Sequence, residues 1–150
     1  MQRRSLRKYH NRLRELEQVT GDPVVPGEVG EWCRGVERAL GDVRESLEPV
    51  FSMHDKAFGA ILESNLELGG KVERLKRDDG RTRDTLGEIA GELSSAQGGM
   101  RGGDTSEEPV EAMETLRTNL LTWVVLARAH EREVDHWLIE SSLRDSGYSE

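Results

Sequence analysis

Cysteine, aromatic residues and alternating β-branched runs are scarce in this chain of 150 residues. The single cysteine, Cys33, excludes an internal disulfide framework and fits a reducing compartment. Aromatic residues make up only 5% of the chain, and Val, Ile and Thr are never concentrated in alternating runs. Leu, Glu, Arg and Ala fill the periodic segments instead, which favours helix over strand.

The chain also lacks an excess of positive charge and any long apolar run. Its formal net charge is −8, which disfavours a general nucleic-acid-binding protein because that class needs a basic surface. The longest apolar run, residues 120–129, is interrupted by Thr122 and Arg128 and falls short of transmembrane length. The N-terminus has no signal-peptide core, so we expect a cytoplasmic protein without a transmembrane segment.

One segment departs from this acidic balance. Residues 3–14 carry six basic side chains: Arg3, Arg4, Arg7, Lys8, Arg12 and Arg14. One interpretation is a solvated helix face balanced by Glu15, Glu17 and other acidic neighbours. The other is a docking patch for an acidic partner or an anionic membrane surface.

Apolar residues recur at steps of three and four in four segments, which predicts an all-α protein. The first helix spans about residues 3–19 and the second about 28–68, with a kink or short break at Pro49. We expect an extended connector over 20–27, a turn at Gly69-Gly70, a flexible glycine-rich loop over 98–106 and a frayed tail over 146–150. The predicted architecture is one domain, residues 1–150, folded as an up-down-up-down four-helix bundle.

Each predicted helix carries an ionisable residue on its apolar stripe: His10, His54, Asp79 and His130 in chain order. Counted from the predicted turns at about 1.5 Å per residue, the heights of His54, Asp79 and His130 agree to within about 10 Å. The extended connector brings His10 to a similar height. We therefore expect one polar cluster inside the bundle.

This cluster has a metal-binding interpretation and a structural one. Three imidazoles and a carboxylate suit a metal ion, and Asp135, five residues after His130, can lean towards the same interior. His136 points about 100° away from Asp135 and is expected to be peripheral. Alternatively, Asp79 is a buried carboxylate that needs only a histidine partner, His10 or His54. Three of four histidines would also fall on apolar stripes by chance about one time in ten.

The chain resembles the hemerythrin-like (HHE) family over nearly its whole length. The resemblance rests on four segments, one in each predicted helix: residues 9–13, 47–55, 72–79 and 129–133. It implies a four-helix bundle with a non-haem di-iron centre that binds oxygen, senses redox or oxygen state, or handles iron. His10 and His130 match the family's histidines of the first and fourth helices, and Asp135 has the spacing of the fourth-helix carboxylate.

Other positions depart from the family pattern. Val50 stands where the family has a second-helix histidine, and His54 where it has the following carboxylate. Leu75 and Asp79 match the third-helix histidine positions. Three alternatives follow: a mononuclear iron or zinc site, with manganese as a further option, a rearranged dinuclear site, or a metal-free bundle.

The predicted function is therefore a hemerythrin-like non-haem metal-binding or sensing protein. Its expected ligands are His10, His54, Asp79, His130 and Asp135, and its expected partners are a metal ion and a small diatomic ligand. We expect no enzyme, because no nucleophile–base pair or pair of acid/base carboxylates stands out. The competing prediction is a metal-free interaction module that forms a homodimer or binds a protein partner.

Overall fold

The computed structural model describes residues 2–101 and 110–147. In these ranges the chain forms α1 (Gln2–Gly21), α2 (Val29–Ser64), α3 (Gly69–Arg101) and α4 (Val110–Gly147), with a 3-10 helix at Leu66–Leu68 and no strand. Helix α1 packs against α2 and α4, α2 packs against α3, and α3 packs against α4, so the helices form a closed ring. The prediction of an all-α four-helix bundle is confirmed.

A tight turn precedes α2 in the connector between α1 and α2. Glu28 donates its backbone N–H to the carbonyl of Val25 at 2.9 Å, and Gly27 has a φ of 89°. Pro26 followed by a residue with positive φ is the pattern of a type II turn, which favours glycine at the third position. The connector is also anchored to α4, because the N–H of Val24 donates to Glu114 Oε1 at 2.9 Å.

The C-terminal end of α1 is capped by a side chain of α4. Arg117 donates from Nε to the carbonyl of Thr20 at 2.7 Å and from Nη2 to the carbonyl of Gly21 at 2.8 Å. The last carbonyls of a helix have no partner within that helix, so these bonds satisfy two of them. This contact joins the first and last helices of the ring.

The predicted turn at Gly69-Gly70 is wrong. Helix α2 ends at Ser64, and Gly69 and Gly70 are the first residues of α3. The break falls at Asn65, whose backbone leaves the helical region with φ −139° and ψ 78°. The Asn65 side chain donates to Ser141 Oγ of α4 at 3.0 Å, a tertiary contact that favours the break at this residue.

Three other predictions about where the helices break or end change. Helix α2 continues through Pro49, so no break occurs there. The predicted loop over 98–106 begins too early, because α3 extends to Arg101; the rest of that loop lies outside the described residues. Similarly, α4 extends to Gly147, and residues 148–150 of the predicted frayed tail lie outside the described part of the chain.

The apolar core consists of two clusters along the bundle axis. The larger cluster contains residues of all four helices, including Tyr9, Val50, Phe51, Leu86 and Ala127. The smaller cluster consists of Phe58, Ile61, Leu68, Val72, Leu75 and Val134. Because α1 contributes no residue to the smaller cluster, the described part of the bundle has only three long helices around that end.

Helix α4 also carries apolar side chains on its outer surface. Val125, Leu126, Ile139 and Leu143 are 55–64% exposed. Val125 and Leu143 are 18 residues apart, about five helical turns, so they point in the same direction. Nevertheless, no helix within the described ranges combines the length and apolarity needed to cross a bilayer.

Candidate metal centre

Three buried ionisable residues occupy the boundary between the two apolar clusters. They are His54 of α2, Asp79 of α3 and His130 of α4, and each is less than 9% exposed. On α2, Phe51 of the larger cluster and Phe58 of the smaller one flank His54, with ring centroids 5.4 and 5.7 Å from its imidazole. The three residues therefore form a polar layer across the core.

The length of the helical hairpin places His54 and Asp79 at one height. His54 lies ten residues before the end of α2 at Ser64, and Asp79 lies ten residues after the start of α3 at Gly69. Antiparallel helices with equal rise per residue bring such positions opposite each other. The sequence prediction that His54, Asp79 and His130 share a height is confirmed by their direct contacts.

Asp79 is the centre of this polar layer. Its Oδ1 and Oδ2 each lie 3.0 Å from His54 Nδ1, and Oδ1 lies 2.5 Å from His130 Nε2. Burial alone would raise the pKa of this carboxyl, but hydrogen bonds from His130 and His54 hold it below its ordinary value. Asp79 is therefore a carboxylate that accepts hydrogen bonds from both rings.

His54 lies between two carboxylates. Its Nδ1 faces Asp79, and its Nε2 lies 3.1 Å from Glu131 Oε2. Burial alone would lower the pKa of His54, but hydrogen bonds to Asp79 and Glu131 outweigh it and raise the pKa to about 9. These contacts favour the protonated form of His54, in which Nδ1 donates to Asp79 and Nε2 donates to Glu131.

One ring nitrogen of His130 forms a hydrogen bond, and the other has no hydrogen-bond partner among the described residues. Because Asp79 is ionised, His130 donates to it from Nε2. The other ring nitrogen, Nδ1, is buried and has no hydrogen-bond partner among the described residues. An unpaired buried polar atom is energetically unfavourable, so the polar layer is not fully satisfied by protein contacts alone.

His10 and Asp135 do not belong to the buried layer, contrary to the sequence prediction. Both side chains are exposed, and both line an open cavity beside the layer. The buried stripe of α1 runs through Tyr9, Leu13 and Leu16, and His10 lies about 100° from Tyr9. His136 is exposed, as expected.

The sequence prediction missed Glu131. From the mean direction of the buried stripe of α4, Glu131 deviates by roughly 50° and Asp135 by roughly 90°, at about 100° per residue. The side chain of Glu131 is only 13% exposed and reaches His54. A finer comparison of helical angles would have favoured Glu131 over Asp135.

The three buried residues have the chemistry and spacing of a mononuclear metal site. One donor atom from each of His54, Asp79 and His130 can be chosen so that all lie within 4.8 Å of one another. Metal–ligand bonds of about 2.0–2.2 Å place two donors at most about 4.4 Å apart, so small side-chain movements suffice. With His54 binding through Nδ1, its Nε2–H would remain bonded to Glu131, a common arrangement for metal-bound histidine.

A di-iron centre does not fit these residues. Val50 and Leu75, which the sequence resemblance aligns with histidines of the hemerythrin-like family, are fully buried in the apolar clusters. Aliphatic side chains cannot bind a second ion, and His10 and Asp135 lie outside the layer. The only group of metal-binding side chains found among the described residues is the set of three.

In comparisons with known proteins, the chain matches no protein-family model, and no curated protein or solved structure is significantly similar to it. The hemerythrin-like resemblance therefore stays a prediction from sequence.

Proposed function

We propose that this protein binds one divalent transition-metal ion through His54, Asp79 and His130, and acts in binding or sensing. The observation that carries the proposal is the convergence of these side chains, from three different helices, on one buried position. Burying a carboxylate and two imidazoles costs free energy, and a metal ion would offset that cost.

Iron is the ion that we favour. Two histidines and one carboxylate with open coordination positions form a ligand set typical of non-haem Fe(II), and zinc is the main alternative. When bound, the ion would supply a site for an exogenous ligand, and the hemerythrin-like resemblance suggests a small diatomic molecule. Glu131 would orient His54, and the phenyl rings of Phe51 and Phe58 would limit the access of water.

Elemental analysis of protein produced without a histidine tag tests the proposal. We expect close to one iron or zinc ion per chain after anaerobic reconstitution with Fe(II) or Zn(II). Asp79→Asn should lose the ion because an amide is a poor ligand, whereas His10→Gln and Asp135→Asn should keep it because both side chains lie outside the layer. A wild-type protein that takes up neither ion after reconstitution contradicts the proposal. Loss of metal in the His10 or Asp135 variant would instead point to a different ligand set.

A metal-free interaction module is the second candidate, and two observations favour it. His54 has a carboxylate partner at each ring nitrogen, so most of the polar layer is satisfied by protein contacts. In addition, α4 carries exposed apolar side chains, Val125, Leu126, Ile139 and Leu143, that a second copy or a protein partner could cover. In this alternative the layer fixes the register of the helices, and the reconstituted protein contains no metal.

A further inference from the structure

An open cavity of about 490 Å³ lies between α1 and α4, next to the polar layer. This volume is in the range of small-molecule sites, which are roughly 300–1,000 Å³. Its lining is mostly charged and comes from both helices: Leu6, His10, Arg14, Arg128, Glu131, Arg132 and Asp135. Such a lining suits a small polar ligand better than an apolar one.

The charges of this cavity are not fully compensated within the protein. Neither Arg14 nor Arg132 forms a salt bridge with another described residue, whereas Arg128 is paired with Glu17. Two guanidinium groups, one from each helix, are thus available on a chain with a formal net charge of −8. Guanidinium groups bind carboxylate and phosphate through paired, charge-assisted hydrogen bonds.

Two carboxylates also face the cavity, and they differ in their environment. Glu131 lies 3.1 Å from His54 Nε2 and its side chain is only 13% exposed, so it presents little surface to a ligand in the cavity. Asp135 is exposed and has no ion-pair partner among the described side chains, so it opposes the binding of an anion. His10 lines the same cavity, so its imidazole is a third group, beside the guanidinium groups of Arg14 and Arg132, that can donate a hydrogen bond to an anion.

We propose that this cavity binds a small organic or inorganic anion, carrying carboxylate or phosphate groups, through Arg14, Arg132 and His10. The site is separate from the buried metal-binding residues and does not depend on a bound ion. Glu131 forms the wall shared by the two, because it lines the cavity and also contacts His54. A bound anion would therefore lie beside the buried layer.

NMR of the histidine side chains in metal-free protein tests the proposal directly. The chain has four histidines, and titration with inorganic phosphate or with succinate at constant ionic strength should shift the His10 resonances in a saturable way. The resonances of His136, which is exposed outside the cavity, should not move in parallel. Comparing the two probes distinguishes a phosphate ligand from a dicarboxylate.

Four variants complete the test. Arg14→Gln or Arg132→Gln should weaken binding about tenfold or more, the typical loss for one charge-assisted contact. Arg38→Gln removes the same charge from an exposed position outside the cavity and should leave affinity unchanged. Asp135→Asn should strengthen binding, a gain that a purely structural role would not produce. The proposal is overturned if neither probe saturates, or if the Arg38 variant loses as much affinity as the cavity variants.

Since the titration is made without metal, its outcome is independent of the elemental analysis. Saturable binding of phosphate or succinate by a protein that takes up no metal would support the anion site and refute the metal site. If the protein binds one metal ion per chain but His10 responds to neither probe, the metal site is supported and the anion site is refuted.

Discussion

At the scale of single residues, the chemistry depends on the placement of a few charges. His54 is buried between Asp79 and Glu131, and the same contacts that satisfy its ring nitrogens keep it protonated. A metal ion must displace that proton before His54 can bind it. Because the pKa of His54 is raised, this competition weakens metal affinity at neutral pH, and affinity should increase as pH rises towards 9.

The raised pKa of His54 also predicts how stability depends on pH. Because the pKa rises from 6.5 in the unfolded chain to about 9, the folded state gains stability that is fully present below pH 6.5 and lost as pH rises through 9. We expect the free energy of unfolding of metal-free protein, measured with urea, to fall by up to about 3 kcal/mol between pH 6.5 and pH 10.

Two histidine variants control for other titrating groups. His54→Gln should lose the part of this pH dependence that His54 contributes and keep only the fall towards pH 10 that the raised pKa values of buried Cys33 and Tyr9 produce. His136→Gln should behave like the wild type because His136 is exposed and outside the layer. An equal pH dependence in the wild type and in the His54 variant would show that the imidazolium between Asp79 and Glu131 does not contribute this stability.

At the scale of elements, the helices are defined by their packing as much as by their local sequence. Helix α3 is rich in glycine, including Gly80 next to Asp79, yet it runs without interruption from Gly69 to Arg101. Glycine destabilises a helix interior by about 1 kcal/mol relative to alanine. Contacts with α2 and α4 must therefore compensate for weak intrinsic helix formation in α3.

Gly80→Ala should stabilise the protein by about 1 kcal/mol, measured as a shift of the urea midpoint at constant slope. A Cβ at Gly80 would meet no atom within 4 Å, so the substitution adds helix propensity without a clash. Gly27→Ala is the matched control. Gly27 also has open space but a φ of 89°, so alanine there should destabilise by about 1 kcal/mol or more. If both variants shift stability in the same direction, helix propensity does not explain the effect.

At the scale of the whole molecule, the polar layer divides the core and joins three helices. His54, Asp79 and His130 come from α2, α3 and α4, so the site exists only when these helices are packed together. On the other side of the layer, α1 contributes no residue to the smaller apolar cluster, and the cavity lies between α1 and α4. The arrangement of the helices thus creates both candidate binding sites.

Because the unfolded chain cannot form the three-helix site, metal should bind the native state and stabilise it. A free metal concentration 100 times the dissociation constant adds about 2.7 kcal/mol, which corresponds to a rise in Tm of roughly 5–10 °C for a protein of this size. Differential scanning calorimetry of metal-free protein with and without Zn(II) measures this rise. Asp79→Asn should show no rise, and a rise of equal size in that variant would mean that zinc binds elsewhere.

The local sequence determined the helical fold and three residues of the buried layer, although it wrongly added His10. Steps of three and four predicted the four helices, and the same periodicity correctly placed His54, Asp79 and His130 on buried stripes. Their similar height along the bundle axis followed from counting residues from the predicted turns, and this count tolerates an error of several residues at each helix end. These features could be predicted because they depend on periodicity and on the constant rise of a helix.

Only the tertiary structure decided which flanking residues join the site. The exposure of His10 and Asp135, and the contact between Glu131 and His54, depend on how far each helix is rotated about its axis. The break at Asn65 is likewise accompanied by a hydrogen bond to Ser141 of another helix. Rotation and helix ends are set by packing across the bundle, so a pattern within one segment does not determine them.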